Sequence, residues 1–387
     1  MARSYLVRLT ASLGITVVML WIADGLVALV PSADARRIAT ARDAGVTIDP
    51  RTALAFVRDL RKSGKEAYPS AYVGNHWKAF PFFRDSLIPL GGISNVLSVM
   101  CSEGPYVTFL ADERGLTNPP GQWSLLSPEF ALVGDSYVMG FCVPPEASFA
   151  ARIRARHPST IVAGFGASGP LTQLGQMREF LAAVRPRTVL WFYHEGNDLA
   201  DLGAERTHPI LSRYLDAGFS QGLARRQPEV DARLKELVEA RERRTARPPV
   251  RAVTAVLSLT HLRQLVGAIT SARRACCDLP LYRRVIVAAK SVIEGWGGSL
   301  TVVYLPSEAR ISGRPLNAGE RSSDSVVAIL HDAGIPVLDL REALRSMGTP
   351  RELIPFPGAH YSARGNEAVA SLVLRHLESR GAAPAGR

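Results

Sequence analysis

From about residue 130 the chain alternates short apolar runs with longer stretches of helical spacing. Phe130 to Val133, Thr160 to Ala163, Thr188 to Tyr193, Ser299 to Leu305 and Pro336 to Leu340 read as buried strands. Each is too short for a helix and rich in β-branched or aromatic residues. Between them, Ser148 to Arg156 reads as a helix, and Pro170 to Val184 sets Leu171, Leu174, Met177, Phe180 and Leu181 on one helical face. Gly365 to Leu377 reads as a closing helix. Strands that alternate with helices, and are apolar throughout, predict a mainly parallel sheet covered on both faces: an α/β protein of three α/β/α layers.

The N-terminus has a different pattern. Arg3 and Arg8 precede a mostly apolar stretch, Leu9 to Val30, broken by Asp24 and followed by Pro31. The stretch exceeds a usual signal-peptide core and is long enough to cross a bilayer. Ala33-Asp34-Ala35 fits a cleavage site. Residues 1–35 are therefore expected to be a signal peptide or a membrane anchor. The bulk of the protein would then face the periplasm from the inner membrane, or be secreted or periplasmic after cleavage. Residues 36–125 lack strong periodicity and are expected to form an extension packed on the core. Residues 126–378 form the main domain, with a helical insertion at about 203–280, and 379–387 a disordered tail. The insertion forms either a cap over the site or plain decoration. Its charged part, Glu229 to Arg244, reads as a solvated helix face.

Composition adds little about function. A net charge of +11, concentrated in arginine clusters, comes with no nucleic-acid motif, so no nucleic-acid partner is expected. Four cysteines, Cys101, Cys142, Cys276 and Cys277, have no metal-ligand spacing, so neither a metal nor another cofactor is expected. Disulfides are open if the chain is exported; the adjacent Cys276 and Cys277 are not expected to pair with each other.

Candidate chemistry sits where strands end. Gly134-Asp135-Ser136 follows the first strand and places a serine at its tip, where open α/β sheets present reactive groups. Gly164 to Gly169 follows the second strand, Gly196-Asn197-Asp198 the third, and His360 precedes the last helix. A serine needs a base, and neutral imidazole suits that task. Asp135 is expected to be structural. His194 is a weaker alternative base.

In this order the four blocks resemble those of the SGNH (GDSL-type) hydrolase superfamily, exported bacterial members in particular. The resemblance implies a flavodoxin-like sandwich. It also implies Ser136 as nucleophile, His360 as general base, and an oxyanion hole from the Ser136 and Gly169 backbone N–H groups and the Asn197 side chain. Asp112 to Pro120 is similar to a segment found upstream of the serine block in exported members, an edge structure packed on the core. One departure stands out. The family's Asp, two or three residues before the His, is replaced here by Pro357 and Gly358. The imidazole is then held by a backbone carbonyl or a distant carboxylate, with Glu195 and Asp198 as candidates, or the site is weak.

The reading is a serine esterase acting on an acylated small molecule or polysaccharide, with removal of acetyl groups from a cell-surface or secreted glycan as the implied task. Two alternatives stay open: an O-acetyltransferase component similar to the alginate-acetylation proteins, and a catalytically weak, membrane-anchored glycan-binding scaffold. A lipase reading would need a wide apolar groove.

Overall fold

The computed structural model describes residues 2–31, 33–70, 82–83, 86–245, 259–263, 265–267 and 277–381. They fall into two compact units, residues 1–39 with 240–274, and residues 40–239 with 275–387.

In the first unit, α1 (Ala2–Ala28) contains the window Ala11–Ala28, the one helix among the described residues long and apolar enough to cross a membrane. Asp24, the polar break in that helix, is buried and accepts hydrogen bonds from the Leu262 N–H (2.7 Å) and the His261 ring (3.2 Å). Its charge is thus held by partners on the same unit.

The second unit is built on a parallel sheet. Its strands are β4 (Phe130–Gly134), β5 (Thr160–Gly164), β6 (Thr188–His194), β7 (Ser299–Leu305) and β8 (Val337–Asp339). They lie in the order β5-β4-β6-β7-β8, every neighbouring pair parallel. That is the flavodoxin-like order, with β6 central and the chain reversing its direction of growth between β4 and β6. Side-chain alternation divides each strand between two cores. Ala131, Val133, Val189, Trp191, Tyr193, Val302 and Tyr304 face one; Phe130, Leu132, Leu190, Phe192, Val303 and Leu305 face the other. Helices α6 (Pro170–Gln176) and α9 (Leu279–Gly295) cover the first face, and α5 (Phe149–Arg156) and α11 (Ala363–Gly381) the second. Both faces being buried explains why the strands lack polar alternation.

Two expectations, for the charged helix and for the tail, are corrected, and the extension has more regular structure than its periodicity suggests. The extension contains a second sheet of β1 (Ala67–Pro69), β2 (Leu97–Met100) and β3 (Val107–Leu110), the last two antiparallel. Strands of three or four residues are too short to show alternation. The helix α8 (Gln227–Thr245) is not only a solvated face: Val230, Leu234, Leu237 and Val238, at helical spacing, join the core. The last helix runs to Gly381, three residues into the expected tail; 382–387 lie outside the described residues.

The Asp112 to Pro120 segment does pack along a sheet edge. Asn118 exchanges two hydrogen bonds with the backbone of Val162 on the outer strand β5, each 2.8 Å. Asp112 holds the turn together, accepting from Arg114 N–H, Leu116 N–H, the Asn118 amide and the Trp123 indole. The exposed edge of β5 is thereby occupied. Cys101 and Cys142 form a disulfide, joining this extension to the main domain. Cys277 is also disulfide-bonded; Cys276 lies outside the described residues.

Candidate active site

Ser136 is the first residue of a one-turn helix, α4 (Ser136–Met139), entered directly from β4. Asp135 caps that turn, its Oδ1 accepting from the Tyr137 N–H at 2.9 Å, as its structural reading anticipates. The helix has to sit close to the sheet: a Cβ on Gly164 would come within 2.4 Å of the Met139 nitrogen. Glycine at the end of β5 therefore brings the serine turn down onto the strand ends.

His360 arrives from the opposite end of the chain. Its Nε2 lies 2.7 Å from Ser136 Oγ across a separation of 224 residues. The imidazole is packed between Tyr137 (centroids 4.7 Å apart) and Phe141 (4.8 Å). At the position where the resemblance implied an Asp, Pro357-Gly358 forms a reverse turn. The Ala359 N–H donates to the Phe356 carbonyl at 3.0 Å, with Gly358 at φ +83°. This is the Pro–Gly pattern of a type II turn, and it leaves no carboxylate at that position.

The partner of the His360 ring is Glu103. The Glu103 carboxylate oxygens lie 2.9 and 3.1 Å from His360 Nδ1, and Oε2 also accepts from the His360 backbone N–H at 2.8 Å. The Glu103 side chain is 5% exposed and that of His360 20%. A carboxylate on Nδ1 favours the tautomer with its proton there, which leaves Nε2 free to accept from Ser136. The two carboxylates considered from sequence are engaged elsewhere. Buried Glu195 accepts from Arg310, the Ser307 N–H and Tyr304. Asp198 accepts from the His194 N–H. The one hint in the sequence was the cysteines: Cys101 is two residues from Glu103, and Cys142 six from Ser136.

Glu103 occupies the loop between β2 and β3. Its N–H donates to Cys101 Sγ at 3.3 Å, and the Cys101–Cys142 bridge ties that loop to the residues just after α4. Met100, Phe109 and Ala111 of the extension pack with Met139 and Phe141 of the serine segment in a small shared core.

Gly169 and Asn197 lie among carboxylates. Asn197 donates its two amide hydrogens to Asp135 Oδ2 (2.9 Å) and Asp201 Oδ2 (2.8 Å), and its Oδ1 accepts from His194 Nδ1. The Gly169 N–H donates to Glu205 Oε1 at 2.7 Å. Glu205, at the end of α7 (Asp198–Glu205), also receives the Leu171 and Thr172 N–H groups and the Thr172 hydroxyl, so it caps the N-terminus of α6. Gly169 has an ordinary φ of −96°; its glycine is required because a Cβ would meet Asp201 and Glu205 at under 3 Å. The reason for this glycine is helix packing rather than a special backbone conformation. Burial pushes the Glu205 carboxyl up to about 7 and that of Asp201 up to about 6. It raises Asp198 well above the carboxylate range and lowers His194. His194 stacks on Tyr137 at 4.0 Å and its ring bonds Asn197; Ser136 bonds His360.

No family model and no curated protein matches the chain. Among solved structures it is similar to a lipase/acylhydrolase from Enterococcus faecalis, at 14% identity and TM-score 0.36, over 65% of this chain and 95% of that one. It is also similar to a lipolytic protein of the G-D-S-L family from Desulfitobacterium hafniense, at 13% and 0.38, over 64% and 98%. A third is the acetyl xylan esterase AlAXEase, at 10% and 0.37, over 64% and 98%. In its sheet order, its strand-end serine and the sequence of its Ser, Gly, Asn and His blocks, the chain resembles the SGNH (GDSL-type) hydrolases.

Proposed function

We propose that the protein is a serine esterase of SGNH type, working by acyl transfer through Ser136. The observation that carries this reading is the 2.7 Å contact between Ser136 Oγ and His360 Nε2 at the ends of two distant segments. In the reaction, Ser136 Oγ attacks the ester carbonyl and its proton passes to His360 Nε2. The tetrahedral intermediate collapses, the alcohol leaves with the proton from His360, and an acyl-enzyme remains. Water then attacks the acyl group, giving its proton to His360; the second tetrahedral intermediate collapses, His360 returns that proton to Ser136 Oγ, and the acyl group leaves as the carboxylic acid.

The oxyanion would be met by the Ser136 N–H and the Asn197 amide, with the Gly169 N–H adjoining. Asn197 and Gly169 donate to carboxylates at rest, so each would have to share or exchange a hydrogen bond as charge develops on the substrate oxygen. The resemblance to exported bacterial members suggests an acetyl ester on a surface or secreted polysaccharide as substrate. The apolar helix at residues 11–28 supports a place at the membrane, facing outward, or export.

The test uses the full chain in detergent with a fluorophosphonate probe and p-nitrophenyl acetate, beside Ser136→Ala and His360→Ala. Labelling and turnover in the wild type, lost by about 10⁴-fold or more in both variants, is expected. A folded wild type that neither labels nor turns over rules out the esterase. Adding a glycan acceptor separates hydrolysis from transfer: an acetylated glycan product in place of free acetate would favour the O-acetyltransferase alternative.

A further inference from the structure

We propose that Glu103, carried by the N-terminal extension, is the positioning carboxylate of His360, so that the extension completes the active site. The inference deepens the Ser-His reading and rests on it. Three observations converge. The carboxylate bonds both the Nδ1 and the backbone N–H of His360, which fixes the ring and the chain that bears it. The side chain is buried against the imidazole, so water screens the pair little. The local position that would hold a carboxylate is taken by the Pro357-Gly358 turn.

The loop that presents Glu103 is held on several sides. Cys101 is bridged to Cys142 behind α4. The Gly104 carbonyl accepts from the Asp49 N–H, and Tyr106 Oη donates to the Arg51 carbonyl at 2.7 Å while its ring packs on Phe56. These contacts position a side chain 257 residues away from the histidine it serves.

When His360 takes the serine proton, the imidazolium is formed beside the Glu103 carboxylate, which stabilises it. The other groups facing the ring are Ser136 and Tyr137 from α4, Phe141 after it, and His194 at the end of β6, whose own charging would oppose that of His360. Glu103 is therefore the one carboxylate among the described residues bonded to His360.

The experiment measures p-nitrophenyl acetate turnover against pH, with fluorophosphonate labelling, for the full chain and for Glu103→Gln and Glu103→Ala. Glu103→Gln is expected to lower kcat by about 10²–10⁴-fold with KM nearly unchanged, and to move the acidic limb of the pH–rate profile to lower pH. Glu103→Ala is expected to recover rate on adding formate, a small carboxylate able to enter the vacated space, and glutamine at 103 is not. If one variant does not fold, the other decides. A wild type that labels, beside a folded variant with unchanged rate and pH profile, or with a lower rate that neither shifts the limb nor responds to formate, overturns the role of Glu103 alone. An unlabelled wild type removes the Ser-His reading and this proposal with it.

Discussion

The parallel sheet and the small β2–β3 hairpin both bring side chains to the same histidine, but by different means. The sheet holds Ser136 through its core. β4 is buried on both faces, its neighbours are hydrogen-bonded along its length, and the serine turn needs only a cap and a close-packing glycine. The hairpin has two four-residue strands and shares a five-residue core with the serine segment. That core is small, and the loop is held besides by contacts to Asp49, Arg51 and Phe56 and by a covalent bridge two residues from Glu103. Ser136, the proposed nucleophile, thus rests on collective packing, whereas Glu103, the carboxylate proposed to support it, rests on fewer, replaceable contacts. Substitutions in the hairpin should therefore weaken function before they unfold the sheet.

Removing the bridge would break that contrast most directly. The Cys101–Cys142 pair closes a loop across 41 residues, which in a chain-entropy account contributes about 4 kcal/mol. A Cys101→Ser, Cys142→Ser double variant is expected to lose stability on that order in urea unfolding. Its esterase rate at 25 °C should drop toward that of Glu103→Gln. Treating the wild type with a dithiol, which reduces the bridge and is itself oxidised to a cyclic disulfide, should have the same effect. A folded double variant with wild-type kcat would show that hairpin packing alone seats Glu103 as firmly as the sheet seats Ser136.

How each region could be read from sequence follows the same division. Ser136 and His360 were legible because strand ends and the approach to a last helix are local patterns. The order of the Ser, Gly, Asn and His blocks added the pairing. Glu103 was not legible, since nothing near residue 103 announces a partner at residue 360; its position comes from a hairpin, a bridge and a reverse turn that meet only in three dimensions. The buried side of α8 was missed because its many charges masked four apolar positions. At Gly169 the glycine answers to the crowding of α7 rather than to backbone freedom, which its block in the sequence does not show.

Asn197 sharpens the comparison on the sheet side. If it serves the oxyanion, Asn197→Ala should lower kcat by about 10²–10³-fold, or roughly 3–4 kcal/mol of barrier, with little change in KM. If it serves only to join Asp135 to Asp201, the same variant should lower Tm and leave kcat in place. Steady-state kinetics together with thermal melts separates the two. An unchanged kcat beside a lowered Tm would leave the Ser136 N–H as the main donor.

The smallest effect concerns Glu205, the carboxyl that holds Gly169 and the start of α6. Burial raises it from the ordinary 4.5 to about 7, with the Thr172 hydroxyl and the Gly169 and Leu171 N–H groups pulling the other way. The folded state then keeps this proton over a range in which the unfolded chain has lost it. More protons bound in the folded state means that stability falls as pH rises. The contribution is fully present below about 4.5 and is lost as pH climbs through about 7. Between pH 5 and pH 7 the loss is on the order of 2 kcal/mol. Glu205→Gln carries no charge at either pH, so its unfolding free energy should vary less across this window, keeping the part that Asp201, raised to about 6, contributes with the same sign. Urea unfolding at pH 5 and pH 7 measures this. Equal slopes in the wild type and Glu205→Gln would mean that Glu205 is ionised throughout, as a carboxylate capping four donors. In that case the Gly169 N–H stays committed to it at neutral pH, and oxyanion stabilisation falls to Ser136 and Asn197.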